Sequence, residues 1–427
     1  MKIEVSIGEA IEKLSILHLK MKKIVDKNKK REIQKEIDCL QECASYTQKY
    51  KYFYNLLIYI NEKIWDLTDI VKTNPINYAR ISKDIFDYNQ KRFRIKNWFN
   101  LLTNSNIKEQ KSYQITNCFI EVDETIYFSK LPQICYLALE YDTITISHPN
   151  ILGIPTIKQS NQSIKSNEIE NTIYNLDFDV PDTFIIQPTT YIIGGLLGDF
   201  IQCLSVICEK YYETGSKGIL YMSDQGDKFS NGLLNTYNDI YPVIIKQKYI
   251  QDFKIYDNQL FDINLVAWRC SPLIMKDNWY NIYKSTYNVE WGKRKWIESV
   301  YDPLWSDKIV INTTSYRFPV SNDFLNIFNK KIDYSKYIFI SSDKSHYDFF
   351  KHRTNNNLTY YQIKSFEELV TIINSCKLFI GGISAPLTIA HSLHKDRIIC
   401  ISEITEIIDD RIMNNLTDYL PNIKIIV

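Results

Sequence analysis

Three short clusters in the chain combine glycines, hydroxyls and a charged side chain in the way that anion- and sugar-handling sites require. The first is Gly194-Gly195-Leu196-Leu197-Gly198-Asp199, between an apolar run, Tyr191-Ile192-Ile193, and a helical stretch at 200–212. Glycines there let the backbone approach a ligand, and the free amides of a helix start suit an anion or a sugar. Asp199 stands at the helix mouth. The spacing is G-G-x-x-G rather than G-x-G-x-x-G, so a dinucleotide site is not expected. A tight turn with Asp199 as helix N-cap would use the same residues without a ligand. The second cluster is Phe379-Ile380-Gly381-Gly382-Ile383-Ser384-Ala385-Pro386, again strand, turn and helix start, with Pro386 suited to a first helical turn. Its amides could hold a diphosphate; a close-packed turn is the alternative. The third is Asn312-Thr313-Thr314-Ser315-Tyr316-Arg317, at the end of a strand. Ligands of open α/β sheets bind outside the carboxyl ends of strands, where Arg317 could pair with phosphate; a surface arginine is the plainer reading.

Other chemistries find less support. His391 and His394 lie on and after the last helix of this region, where a histidine more often packs or caps, and no Ser/His/Asp order emerges. Nine cysteines are scattered singly, without a C-x-x-C pair, so neither a metal nor a disulfide framework is expected. Lys and Arg number 51 against 50 Asp and Glu, so no global field favours nucleic acid. The N-terminus lacks an apolar signal core, and the richest apolar stretch, 191–208, contains Asp199 and three glycines, so no membrane span is expected. The expected location is the cytoplasm, that of a host if the AT-rich residue choice reflects a large DNA virus. That same bias removes dispensable glycines, so the five of twelve that sit in the two turns are expected to be required by backbone geometry.

The elements that must position these clusters fall into a helical first third and an α/β remainder. With 427 residues, 45% hydrophobic and 24% charged, the chain is expected to fold into two or three domains. Ser6-Ile7-Gly8-Glu9 has the form of a capping box, followed by Ile7, Ile11, Leu14, Leu17, Met21 and Ile24 on one helical stripe. Further periodic stretches run over 52–71 and 78–102, the latter carrying Arg80, Lys83, Lys91, Arg92, Arg94 and Lys96. Such a basic run is expected to be a solvated face with interspersed acids rather than a phosphate site. Short alternating runs at 117–122, 125–128 and 143–147 predict strands, and 159–181 a polar linker. From 183 onward strands and helices alternate, which predicts parallel sheets.

At these residues the chain resembles the GT-B glycosyltransferases of the heptosyltransferase-like, family 9-like group. The resemblance covers about 191–403: a glycine turn followed by Asp in a first lobe, and CKLFIGGISAPLTIAHSL, with its G-x-S-x-P turn, in a second. It implies that the second turn binds a nucleotide-sugar diphosphate through Gly382, Ser384 and Pro386, and that Asp199 is the catalytic base. Gly194, Gly195, Gly198, Gly381, Thr314, Arg317 and Thr388 join the donor-binding set. Heptosyltransferases read D-S/T-G-P-x-H at this turn, where this chain has Ile383, Ala385 and Thr388 in place of the acid, the glycine and the histidine. A related bacterial group with T-x-R-Y and F-I-G-N-Q-S is closer to Thr314, Arg317 and FIGGIS. Residues 5–113, with S-I-G-E-x-x-E-K-L-S-I-L and N-x-x-R-F-R-I-K, resemble a bacterial helical domain of unknown function found near sugar-polymer genes.

The expected fold is therefore α/β, with two GT-B-like Rossmann-like lobes behind an all-α N-terminal domain. The expected divisions are a helical domain (1–111), a small strand-bearing segment and linker (112–182), an N-terminal lobe (183–305) and a C-terminal nucleotide-sugar-binding lobe (306–427). The expected activity is transfer from a nucleotide-diphosphate sugar to a glycan, lipid-linked or protein hydroxyl, with no cofactor or metal. The apolar helical third is a candidate for self-association. Two rivals stand beside this: a non-catalytic GT-B-like binding protein, and a polysaccharide pyruvyl transferase-like enzyme.

Overall fold

Ser6 accepts a hydrogen bond from the Glu9 amide at 3.1 Å and so starts helix α1 (Ile7–Lys23), whose Ile11, Leu14 and Leu17 are buried along the expected stripe. The computed structural model describes residues 4–73, 77–107, 116–146, 158–159, 171–173, 175–181, 187–224, 228–274, 276–315, 318, 334–400 and 423–426. Helices α2 (Lys27–Asp38), α3 (Ala44–Lys49), α4 (Lys51–Thr73) and α5 (Tyr78–Leu102) follow. Contacts divide the chain into two units, residues 1–187 with 212–215, and residues 188–211 with 216–427.

In the first unit, the conspicuous motif residues of α1 and α5 interlock. A Cβ on Gly8 would stand 2.3 Å from the Lys96 carbonyl and 2.7 Å from Asn100 Oδ1, while the Gly8 amide donates to that same Oδ1 at 2.8 Å. Glu12 receives Arg92 at 3.1 Å and Lys96 at 3.4 Å; Arg94 pairs with Asp142 and Lys91 with Glu140. These cations of the basic run are thus engaged within the unit. Gly8→Ala is expected to force α1 and α5 apart, costing about 1–3 kcal/mol of stability by urea titration.

A four-stranded parallel sheet, order β3-β2-β1-β4, completes this unit: β1 (Asn117–Ile120), β2 (Thr143–Ile146), β3 (Lys158–Gln159) and β4 (Thr172–Ile173). Its Cys118, Ile120 and Ile144 share one core with Ile11, Leu56, Ile60 and Phe99 of the helices. The strand expected at 125–128 is instead helix α6 (Glu124–Ser129), because Asp123 accepts from the Ile126 amide at 2.7 Å and caps a turn. Helix α7 (Leu131–Tyr136) follows. The expected linker contributes β4, which pairs with β1; residues 160–170 lie outside the described residues.

The second unit holds two more all-parallel sheets. The first has order β7-β6-β5-β8: β5 (Thr189–Ile193), β6 (Gly218–Met222), β7 (Ile250–Ile255) and β8 (Ile263–Asn264), with helices α8 (Leu197–Thr214), whose last turn falls in the first unit, and α9 (Leu233–Ile244). After α10 (Trp279–Tyr287), the second sheet has order β11-β10-β9-β12-β13-β14: β9 (Ile309–Asn312), β10 (Tyr337–Ser341), β11 (Thr359–Gln362), β12 (Leu378–Gly382), β13 (Arg397–Cys400) and β14 (Ile423–Ile426). Helices α11 (Lys344–Thr354), α12 (Phe366–Ser375) and α13 (Ala385–Ser392) alternate with its strands. This is the 3-2-1-4-5-6 order of a doubly wound sheet, and the first sheet has the same beginning, 3-2-1-4. Two Rossmann-like lobes behind a helical region make the expected fold class that of the chain.

A block of indoles joins the lobes. Trp291 Nε1 donates to the Gln202 carbonyl at 3.1 Å and Trp296 Nε1 to the Ile201 carbonyl at 2.8 Å, both on α8. The Trp296 amide donates to the Ser392 carbonyl on α13 at 3.0 Å, and His394 Nε2 meets the Gly292 carbonyl at 3.0 Å. On α8 the buried Glu209 pairs with Arg294, yet burial outweighs that cation and pushes the carboxyl from 4.5 to about 7. The folded chain then holds this proton at higher pH than the unfolded chain. Its stabilising contribution is full below about pH 4.5 and lost as pH rises through about 7. Urea titrations across that window should show stability falling with pH, with a shallower fall in Glu209→Gln.

Candidate functional site

Both glycine turns lie at the points where strand order reverses, the places at which open α/β sheets leave a crevice. In the first lobe the reversal falls between β5 and β8. Gly194 and Gly195 follow β5 and are buried, Gly195 at φ +106°, a conformation that favours glycine. Helix α8 begins at Leu197, three residues earlier than the sequence suggests, so Asp199 sits inside its first turn rather than at the N-cap. The segment after β8 supplies Arg269, whose Nη2 pairs with Asp199 Oδ2. Its guanidinium carbon lies 5.1 Å from the Trp268 ring centroid.

In the second lobe the reversal falls between β9 and β12, whose register pairs Gly381 with Asn312. A Cβ on Gly381 would stand 2.7 Å from the Phe379 ring and 2.8 Å from the Asn312 carbonyl, so close packing explains that glycine. Gly382 is buried at the end of β12. Ser384 precedes α13 in extended conformation, but its hydroxyl turns back to the Gly382 carbonyl at 3.2 Å and no side chain caps the helix. Pro386 lies in the first turn, as expected, and Thr388 Oγ1 is 3.5 Å from the Ser384 carbonyl. Thr314 follows β9 half-buried. Arg317 lies outside the described residues.

The two turns come together. A Cβ on Gly198 would stand 3.5 Å from Thr388 Oγ1, 3.7 Å from the Ala385 nitrogen and 3.8 Å from the Ala385 Cα. The first turns of α8 and α13, each carrying a partial positive charge, therefore pack against one another at Gly198 and Ala385, with Asp199 and Arg269 beside the first. Such a place can hold an anionic group and set a carboxylate near it. The structure thus brings Gly198, between Gly195 and Asp199 in the chain, against Thr388, with Ser384 and Pro386 as the chain neighbours of Ala385. It adds Arg269 and Ala385, which the sequence did not single out as site residues: Arg269 is remote in sequence and carries no motif, and Ala385 contributes only its backbone.

Thr313 is 1% exposed, and its hydroxyl has no hydrogen-bond partner among the described residues. Among the described residues no group of three or more His, Cys, Asp and Glu could hold a metal ion, and no helix is long and apolar enough to cross a membrane.

Residues 1–128 match a family of unknown function, DUF6165. No curated protein matches the chain. Among solved structures, a glycosyl transferase family 9 protein from Veillonella parvula DSM 2008 is similar at 11% identity and TM-score 0.37, over 57% of this chain and 88% of that one. The E. coli heptosyltransferase WaaC with ADP-2-deoxy-2-fluoro heptose is similar at 7% identity and TM-score 0.39, over 56% and 93%. The dodecameric iron-containing heptosyltransferase TibC in complex with ADP-D-beta-D-heptose is similar at 11% and 0.37, over 59% and 68%. All three TM-scores lie below 0.5, and the fold rests on the strand orders given above.

Proposed function

We propose that the chain is a glycosyltransferase that moves a sugar from a nucleotide-diphosphate sugar to a hydroxyl of a glycan, a lipid-linked saccharide or a protein. The observation that supports this reading is the approach of Gly198, the residue before Asp199, to Ala385 and Thr388 in the first turn of α13. The Asp199 carboxylate takes the proton of the acceptor hydroxyl as its oxygen bonds to the anomeric carbon. The bond from that carbon to the diphosphate breaks, and the nucleoside diphosphate leaves with the electron pair. Negative charge grows on the leaving group, so the amide end of α13 and the cation Arg317, assigned by its motif, act on the transition state. Neither a metal nor a cofactor is part of this reading.

One observation favours the non-catalytic alternative: Asp199 is already engaged by Arg269. Melting the purified chain with UDP, GDP, ADP, CMP and dTDP, and with their sugars, tests the proposal. One nucleotide should raise the melting temperature, because a ligand that binds only the native state stabilises it. The matching sugar nucleotide should then be consumed when acceptor glycans are supplied. Binding without turnover would support the alternative.

A further inference from the structure

We propose that Arg269 is the positioning residue of this site: it holds the Asp199 carboxylate ionised and in one orientation at the mouth of α8. The inference rests on the reading of Asp199 as the proton acceptor. Arg269 arrives from the segment after β8, on the far side of the strand-order reversal from Asp199, and its Nη2 bonds Asp199 Oδ2. It does not hang freely. Its guanidinium lies against the ring of Trp268, which is 6% exposed and is itself fixed by Trp279 at 4.9 Å and Tyr283 at 6.2 Å. On the other side, a Cβ on Gly195 would stand 3.1 Å from Nη2, so the glycine leaves room for the guanidinium as well as adopting φ +106°.

The side chains of Asp199 and Arg269 are 25% and 33% exposed, and an ion pair that open to water contributes little to stability. Its consequence is geometric and electrostatic. A base must be ionised and aimed before the acceptor arrives, and a stacked arginine provides both, at the cost of some basicity. Cys203 on α8 and Tyr283 on α10 are titratable groups that feel the charge of Asp199, and burial holds both protonated. Against the preceding Gly198, the start of α13 presents Ala385 and Thr388, which do not titrate.

The test follows the Asp199 carboxyl by carbon-13 NMR of the full chain labelled with [4-13C]aspartate, its signal assigned by its loss in Asp199→Asn. Arg269→Gln should raise the pH midpoint of that signal by about 1–3 units. Arg269→Lys, a cation without the planar fork, should fall between Arg269→Gln and the natural chain. An unchanged midpoint in Arg269→Gln overturns the proposal. Should that variant fail to fold, an unchanged midpoint in Arg269→Lys does the same. No donor is needed, so the outcome is separable from the reading beneath it. If Asp199→Asn retains transfer while the midpoints shift, the base assignment falls and the role of Arg269 in holding the carboxylate stands.

Discussion

Asp199→Asn is expected to lower sugar transfer by about 10²–10⁴-fold, the usual contribution of a positioned general base, while the melting shift given by the donor nucleotide is retained. The asparagine keeps the size and shape of the side chain in the first turn of α8 and removes its ability to accept a proton. The donor's anionic group is assigned to the start of α13, not to Asp199, so binding and chemistry should separate. Initial rates at saturating acceptor, measured with nucleotide-induced melting on the same samples, distinguish the cases. Loss of both would place Asp199 in donor binding. Loss of neither would remove it from the mechanism.

Trp296→Ala is expected to cost about 3–5 kcal/mol of stability, in the range for truncating a fully buried large aromatic side chain, and to weaken nucleotide binding in whatever fraction stays folded. Trp296 is 1% exposed and packs on Trp291 with ring centroids 5.4 Å apart. Its indole holds the Ile201 carbonyl of α8, and its amide holds the Ser392 carbonyl at the far end of α13. One residue therefore ties together the two helices whose N-termini meet at Gly198 and Ala385. Chemical denaturation reads the stability, and nucleotide titration at a temperature where the variant is folded reads the alignment. Trp296→Phe fills most of the volume without the Ile201 hydrogen bond, so it should keep most of the stability and still bind more weakly.

The strands and helices of the α/β part were legible because buried parallel strands are short apolar runs and their turns carry the few glycines of an AT-rich chain. The same signals failed where local windows are ambiguous. Residues 125–128 alternate like a strand, but the Asp123 cap fixes a helix, with Tyr127 buried and Ile126 at 44% exposure. For Gly381 the sequence left both a ligand turn and a close-packed turn open, and the Phe379 ring and the Asn312 carbonyl supply the close packing. Of the candidate site, Asp199 and the two turns could be picked out in the sequence, since glycine spacing marks close backbone approach. Their meeting was not, because it depends on indoles at 291 and 296 reaching carbonyls about ninety residues earlier. Arg269 was hidden for the same reason: its significance comes from the strand order that sets β8 beside β5. In the helical third, Gly8 and Glu12 of the S-I-G-E-x-x-E stretch and Arg92 of the R-F-R-I-K stretch lock α1 to α5.

The central claim, that an anionic donor group sits where the two helix starts converge, is most directly tested by Ala385→Glu. An acid in the first turn of a helix favours the helix dipole, so the unliganded variant should melt no lower than the natural chain. The same charge would repel a diphosphate there. Isothermal titration with the nucleotide found by melting should show binding to the natural chain and loss of at least tenfold in affinity in Ala385→Glu. Undiminished binding in that variant would contradict the account.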